Sequence, residues 1–498
     1  MKFAIEEKKL IPAPLLLTPQ ETYPISKLNL LPEIPLDSSF SFNSQLQHYL
    51  TGKQLLLDDL PFSLNDIQQH YEKGYLIYRK GIERVGDKNQ CLRCGTKDSR
   101  WFAEFPCSRC GETCTYCRQC LMMGRVSSCT PLISWTGPIP KEEVPLNLLE
   151  WSGTLSPGQS GASSRVVTAV NQSDELLVWA VCGAGKTEVL FKGIEHALTQ
   201  GKRVCIATPR TDVVLELTPR LKAVFPQMNV ASLYGGSEDR HIYAPLTIAT
   251  THQLIRFYQA FDTLIVDEVD AFPYSIDETL QYAVKQAKKP HSALIYLTAT
   301  PSRNWQRECR IGKRAFVTIP ARYHRKPLPV PKFVWCGNWE KRLAQKRLPP
   351  NLLAWTKKRL EANKQALIFV PKIDSMDKML PLFQKLHPQI ESVHAEDPDR
   401  KEKVMRMRNK EIPVLLTTTI LERGVTLANI DVAVLGAEDQ VFAESALVQI
   451  AGRAGRSAQF PSGEVIFFHY GKTEAMVRAR KQIIAMNKEA TQRGMLDK

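Results

Sequence analysis

The run Ala180-Val-Cys-Gly-Ala-Gly-Lys-Thr187 constrains this chain more than any other. An apolar stretch, residues 176–182, precedes it, and a helix-compatible stretch follows. A strand, a glycine turn and a helix opening on Lys-Thr make the cradle that a nucleotide phosphate needs. Gly183 and Gly185 let backbone N–H groups approach a phosphate closely. Lys186 places a positive charge at the β- and γ-phosphates, and Thr187 offers a hydroxyl to Mg²⁺. Ala184 and Glu188 complete the segment assigned to ATP. The turn is embedded in a wider pattern. Short apolar runs at 176–182, 204–208, 246–250, 263–266 and 293–297 alternate with helical stretches. The alternation pauses over 318–345, where Pro320, Pro327, Pro329 and Pro331 cluster, and resumes at 366–370, 392–394, 414–417, 432–435 and 465–468. Strands alternating with helices imply parallel sheets covered by helices. The expected fold class is therefore α/β, with two tandem parallel-sheet lobes. No internal repeat is evident.

The expected domains follow from this punctuation. Residues 1–88 form an N-terminal segment of unknown role, with a helix near 65–73. Residues 89–130 are a cysteine-rich module, and 131–154 a connector rich in Pro and Gly. Residues 155–317 are the first lobe, 318–345 the inter-lobe linker, 346–480 the second lobe and 481–498 a C-terminal tail.

The run Asp267-Glu-Val-Asp270 closes the strand at 263–266, where parallel α/β sheets place ligands. Asp267 suits Mg²⁺, and Glu268 suits the role of general base toward the attacking water. A solvated acidic turn is the bland alternative. Charge developing on the transferred phosphoryl group needs cations. The segment Gln449-Ile-Ala-Gly-Arg-Ala-Gly-Arg456 supplies Arg453 and Arg456. On a helix, that spacing puts both guanidiniums on one face. Gln449 is grouped with them.

Composition adds a partner class. Lys and Arg number 66 against 51 Asp and Glu, a net charge of +15, which suits a polyanion or an anionic membrane surface. No run of about 18 apolar residues is present, so no spanning helix is expected. The opening MKFAIEEKKL does not read as a signal peptide, so a cytoplasmic location is expected.

Eight of the 12 cysteines lie between Cys91 and Cys129. Three CxxC units in so short a cytoplasmic stretch point to zinc rather than to disulfides. The metal is expected to be structural. The candidates are Cys91, Cys94, Cys107, Cys110, Cys114, Cys117, Cys120 and Cys129. Arg93, Arg100, Arg109, Arg118 and Arg125, with Trp101, Phe102 and Tyr116, suit contacts to a strand by phosphate pairing and base stacking. Docking to another protein suits them equally.

In order, these motifs resemble those of superfamily-two helicases and translocases, which implies an α/β fold of two tandem RecA-like parallel-sheet lobes, here preceded by the small zinc-binding segment. Leu297-Thr-Ala-Thr300 resembles the motif that links hydrolysis to strand binding. Thr417-Thr-Thr-Ile-Leu-Glu-Arg-Gly-Val-Thr426 resembles the one bridging nucleotide and nucleic acid, and so adds Gly424 to the ATP contacts. Leu155-Ser-Pro-Gly-Gln159 sits where that superfamily often places a glutamine that reads adenine. The resemblance implies backbone contacts to nucleic acid from Arg210, Thr250, Thr251, His252, Thr418 and Thr419. Capping of strand ends is the other reading of the threonines. Thr426 stands where DEAD-box RNA helicases carry Asp, which counts against an RNA-unwinding role.

A narrower resemblance is to the ComFA family of late-competence ATPases. It is carried by Trp179-Ala-Val-Cys-Gly-Ala-Gly-Lys-Thr-Glu188, Ala207-Thr-Pro-Arg-Thr-Asp-Val213, Ala249-Thr-Thr-His-Gln-Leu254, Asp267-Glu-Val-Asp-Ala-Phe-Pro273 and 418–426. It covers roughly residues 74–490 and implies a tetracysteine zinc site at Cys91, Cys94, Cys117 and Cys120. Cys107, Cys110, Cys114 and Cys129 stay open between a second site, alternative ligands and plain thiols. The resemblance also implies an ATP-dependent single-stranded DNA translocase serving DNA uptake, at the inner face of the membrane. The partners it implies are the ComEC channel, ComFC and DprA. Two alternatives are a replication-restart or repair helicase similar to PriA, and a zinc-bearing DNA-binding assembly factor without hydrolysis.

Overall fold

The computed structural model describes residues 1–142, 145, 147–423 and 427–497. The chain divides into two compact units. One comprises Met1–Ser152, Val166–Leu176 and Phe191–Tyr296; the other comprises Gly153–Arg165, Leu177–Leu190 and Leu297–Lys498.

In the first unit, five parallel strands run in the order Val230–Leu233, Leu246–Thr250, Val204–Thr208, Phe261–Val266 and Lys288–Thr298. Val204–Thr208 and Leu246–Thr250 are buried along their whole length, as strands with both faces covered must be. The helix Glu278–Ala287 shows how local signals set an element. Asp277 caps it by accepting from the Thr279 N–H at 2.8 Å, and Leu280, Ala283, Val284 and Ala287 bury one stripe.

Residues 1–88, silent in the sequence, form a core of their own around Phe3, Leu46, Ile67, Tyr71 and Tyr78. The expected helix near 65–73 is Leu64–Glu72, capped by Ser63. The strand Pro131–Trp135 lies between Leu55–Leu56 and Leu76–Lys80 in an antiparallel sheet. It falls where a connector was expected, and all five of its residues are buried. Pro131 misleads because a proline at the first residue of a strand is tolerated. This segment is joined to the lobe-one sequence by backbone. Gln54 N–H donates to the Arg256 carbonyl at 2.7 Å, and the Gln54 amide donates to Ile255 and Phe257.

In the second unit, residues 177–180 pair in parallel with Phe316–Ile319. A six-stranded parallel sheet has the order Lys332–Trp335, Val465–His469, Asp431–Leu435, Ala366–Phe369, Val414–Thr417, Glu391–Val393. Two parallel α/β sheets are thus present, the class the alternation implied. The expected linker 318–345 contains regular elements. It holds the strand Lys332–Trp335 and the helix Trp339–Ala344, and its prolines lie between this strand and Phe316–Ile319. Both strands have four residues and carry little period-2 signal, so proline content dominated the reading. The expected tail 481–498 is mostly helix. Glu474–Gln492 runs through residue 480, burying Met476, Ala479, Ile483, Met486 and Ala490. Gln482 donates to the Ala299 carbonyl at 2.8 Å.

Candidate nucleotide site and cysteine centre

The candidate phosphate cradle is a strand, a glycine turn and a helix start. The strand Glu175–Ala180 leads into a turn, and Lys186 opens the helix Lys186–Thr199 with Thr187 next. Gly183 has φ +80° and Gly185 φ +69°, a region costly for any residue with a Cβ. At Gly185 space matters too, because a Cβ would lie 2.4 Å from the Gln159 amide nitrogen. Gln159 is buried. Its amide donates to the Ala184 carbonyl at 3.0 Å and accepts from Ser156 N–H at 2.8 Å. The expected adenine reader therefore braces the phosphate turn here. The turn at a helix N-terminus aims N–H groups and the positive dipole end at one place, which suits phosphate.

Asp267 and Glu268 follow the strand Phe261–Val266. Asp267 N–H donates to the Ala207 carbonyl, and its carboxylate accepts from Glu268 N–H, both at 2.8 Å. Glu268 has φ +54°, which costs a residue with a Cβ about 1–2 kcal/mol. Such strain persists where surrounding structure imposes it, and it clusters at functional positions. The hydroxyl of Thr187, in the second unit, and the carboxylate of Asp267, in the first, are each an oxygen donor of the kind a hard cation such as Mg²⁺ takes.

The segment 449–456 departs from expectation. The helix Glu444–Ala451 ends before the arginines, so Arg453 and Arg456 occupy a turn instead of one helix face. Arg453 is 2% exposed and donates through Nε to the Glu422 carbonyl at 3.0 Å. Arg456 is half-buried and donates to the Gly452 carbonyl at 3.2 Å. The two glycines have a packing reason. A Cβ on Gly452 would lie 2.5 Å from Cys182, and Gly455 has φ +66°. Cys182, inside the phosphate turn, donates through its thiol to Gln449 Oε1 at 2.9 Å. The turn and the arginine segment therefore touch within the second unit.

Arg322 is a site residue that the sequence hid within a proline-rich stretch. It is 1% exposed and donates to the carbonyls of Gly452, at 3.1 Å, and of Gly455. Its side chain runs beside Gly183, and Tyr323 N–H donates to the Gly183 carbonyl at 3.1 Å. Burial lowers its guanidinium to about 10. The only available signal was a cation just past the strand Phe316–Ile319.

The proposed strand contacts fare unevenly. Arg210 caps the helix Thr211–Val224 and is half-buried, and His252 is exposed. Thr250 and Thr251 are 6% and 0% exposed, and the Thr251 hydroxyl is buried. Both sit where a buried strand turns into a short helix. Thr418 and Thr419 are half-buried after the strand Val414–Thr417. Gly424, expected at the nucleotide, lies outside the described residues, as does Thr426.

Cys91, Cys94, Cys117 and Cys120 converge, all four sulfurs lying within 4.8 Å of one another. Cys91 and Cys120 are 3.7 Å apart and Cys94 and Cys117 3.6 Å. Tetrahedral zinc with bonds of about 2.3 Å separates its sulfurs by about 3.8 Å, so the set fits zinc. Hydrogen bonds from Cys117, Cys91 and Cys94 hold the Cys120 thiol well below the usual thiol range. The knuckle turns at Gly95, φ +79°, whose absent Cβ leaves room for the Tyr282 ring. Tyr282 donates to the Leu92 carbonyl at 3.2 Å, and Thr279 donates to Gln119 at 3.0 Å. The centre thus rests on the helix Glu278–Ala287, which follows Asp267–Asp270 in sequence. Of the module's arginines, Arg93 is buried and donates to the Cys120 and Gly124 carbonyls. Arg100 pairs with Asp98, Arg109 with Asp58, and Arg125 lies over Phe105. Much of the positive charge read as a grip on phosphate holds the module together.

Comparison with known proteins gives the class first. Residues 152–303 match the family described as type III restriction enzyme, res subunit, and residues 348–458 match the helicase conserved C-terminal domain. A solved structure of an S. cerevisiae Dbp5 variant bound to RNA and ADP BeF3 aligns with TM-score 0.50 at 14% identity, over 69% of this chain and 98% of that one. The fold and site are those of a helicase-like ATPase. Residues 38–134 match the competence protein ComFA N-terminal domain. Competence protein ComFA of Bacillus subtilis (strain 168) is 49% identical over 92% of this chain and 98% of its own length. The Streptococcus pneumoniae (strain ATCC BAA-255 / R6) protein of that name is 40% identical over 77% and 90%. The chain belongs to the ComFA family. Among the described residues no helix is long and apolar enough to cross a membrane.

Proposed function

We propose that this chain is an ATP-dependent single-stranded DNA translocase of the competence DNA-uptake machinery. What carries the reading is the contact of Gln449 with Cys182, which sets the arginine segment against the phosphate turn. In this reading Lys186 and the backbone of Gly183, Ala184 and Gly185 bind the β- and γ-phosphates. Thr187 and Asp267 hold Mg²⁺, which neutralises phosphate charge when bound. Glu268 takes the proton of the attacking water. Arg456, the less buried arginine, meets charge developing on the transferred phosphoryl group, and Arg453 and Arg322 keep its loop in place. Because strands 414–417 and 465–469 carry this loop's neighbours, hydrolysis acts on the second sheet. Alternating grip by Arg210 and His252 on one side and Thr418 and Thr419 on the other moves a strand past both. These contacts go to phosphate, giving hold without sequence readout.

Zn²⁺ at Cys91, Cys94, Cys117 and Cys120 has a structural role in this reading. The site of action is the cytoplasmic side of the membrane, with the ComEC channel, ComFC and DprA as partners. The test is ATPase activity with single-stranded DNA, duplex DNA or RNA, with Lys186→Ala as control. Stimulation by single-stranded DNA is expected, weakening with salt by a slope of about −0.7 per neutralised phosphate. Absence of any stimulation by DNA defeats the reading.

A further inference from the structure

The cysteines left over by the first centre form a second one. Cys107, Cys110, Cys114 and Cys129 are all buried, and their four sulfurs lie within 4.8 Å of one another. Cys107 and Cys129 are 3.7 Å apart, and Cys110 and Cys114 3.3 Å. Both separations exceed the roughly 2.05 Å of a disulfide; that of Cys107 and Cys129 matches the roughly 3.8 Å between thiolates sharing tetrahedral zinc, and that of Cys110 and Cys114 is nearer to it than to a disulfide. Three pieces of chain supply them. Cys107 ends the strand Phe102–Cys107, with Cys110 in the turn after it. Cys114 lies on the returning strand Glu112–Cys117, and Cys129 just before the strand Pro131–Trp135.

The two centres share a local design. Cys91-Leu-Arg-Cys94-Gly95 and Cys107-Ser-Arg-Cys110-Gly111 have the same C-x-R-C-G pattern. In each, the glycine N–H donates at 2.8 Å to the carbonyl of the first cysteine, and the glycine has a positive φ, +79° and +70°. The first knuckle supplies two sulfurs of a metal-sized cluster, and the second repeats its backbone. The hairpin of Phe102–Cys107 and Glu112–Cys117 lies between them, with Cys117 at one end and Cys107 and Cys110 at the other.

We propose that Cys107, Cys110, Cys114 and Cys129 bind a second zinc ion that fastens the hairpin to the N-terminal strands. Four thiolates are a soft set that selects zinc over magnesium or calcium. The fastening is visible around it. Glu112, between Cys110 and Cys114, pairs with Lys2 at 3.1 Å and Lys27 at 2.7 Å. Ser26 N–H donates to the carbonyl of Ser128, next to Cys129, at 3.1 Å. Without a metal, four buried thiols would hold a turn with little apolar core, since among the described residues Phe105 is the partly buried hydrophobic packed on the cluster.

The test is zinc content by elemental mass spectrometry on the full chain purified under reducing conditions without chelator. Two zinc ions per chain are expected, falling to one in Cys110→Ser and in Cys114→Ser. Native alkylation with N-ethylmaleimide gives an independent readout. In the wild type Cys107, Cys110, Cys114 and Cys129 should resist modification until a chelator is added. In the variants, hydrogen exchange in Lys2–Glu6 should rise while ATPase activity persists. One zinc per chain with these four cysteines alkylated at once overturns the proposal. So does iron in place of zinc, or two zinc ions retained in both variants.

Discussion

The knuckles at 91–95 and 107–111 share one backbone turn and differ in what they press against. Gly95 faces the ring of Tyr282, whereas a Cβ on Gly111 would meet nothing within 4 Å. The first centre is lodged against the helix that follows Asp267–Asp270, and the second is tied to Lys2, Lys27 and Ser26. The same ligand geometry thus serves two purposes. One braces the helicase-like lobe from outside, and the other gathers the N-terminal strands. Sequence flanks that look alike say nothing of this division.

The comparison breaks most visibly at the ligands. Cys91→Ser should unfold the module and take ATPase activity with it, because structural zinc supplies about 10–16 kcal/mol in small sites. Cys110→Ser should leave activity standing. Thermal denaturation with parallel ATPase assays reads both, and equal damage from the two variants ends the distinction. Lys186→Ala sharpens it from the other side. ATPase turnover should fall at least about a hundredfold, as when a charge-stabilising donor is lost, with zinc content unchanged.

The glycines separate conformation from space. Gly111→Ala should cost about 1–2 kcal/mol for its positive φ alone. Gly95→Ala adds a clash with Tyr282, for about 2–5 kcal/mol in total, read from urea unfolding midpoints. Arg322→Ala should touch neither centre. It removes one donor from each of two buried carbonyls beside the phosphate turn, leaving Arg456 on Gly452 and His324 on Gly455, and turnover should fall about tenfold, equivalent to about 1.4 kcal/mol. Arg322→Lys should fail to restore it, since one ammonium does not reproduce the fork that reaches Gly452 and Gly455. The smallest effect is expected for Tyr282→Phe, which removes the bond to the Leu92 carbonyl at a cost of about 1 kcal/mol. A shift in zinc affinity of the first centre alone, followed by competition with a chelator, would tie that bond to the brace.

Much of the helicase-like ATPase was legible because its chemistry is local. A phosphate turn needs glycines, a lysine and a helix start within a few residues, and 180–187 contains them in order. The buried strands announced themselves as apolar runs for the same reason. What failed to show was short or edge-placed. The strands Phe316–Ile319 and Lys332–Trp335 have four residues each and flank prolines. The folded character of residues 1–88 rests on contacts between distant segments, such as Leu76–Lys80 with Pro131–Trp135.

Residue types and spacings pointed to the α/β class, the candidate ATP cradle at Lys186 and the Asp267-Glu268 pair, while the choice of Cys91, Cys94, Cys117 and Cys120 among the eight clustered cysteines came from the family resemblance. Tertiary structure decided which cysteines pair with which, that Arg453 is buried while Arg456 is less so, that Thr251 is sealed from solvent, and that Arg322 is part of the site. The division has a physical cause. Backbone turns and strand cores are set by neighbours along the chain, whereas burial, charge pairing and metal geometry are set by whatever the fold brings across it.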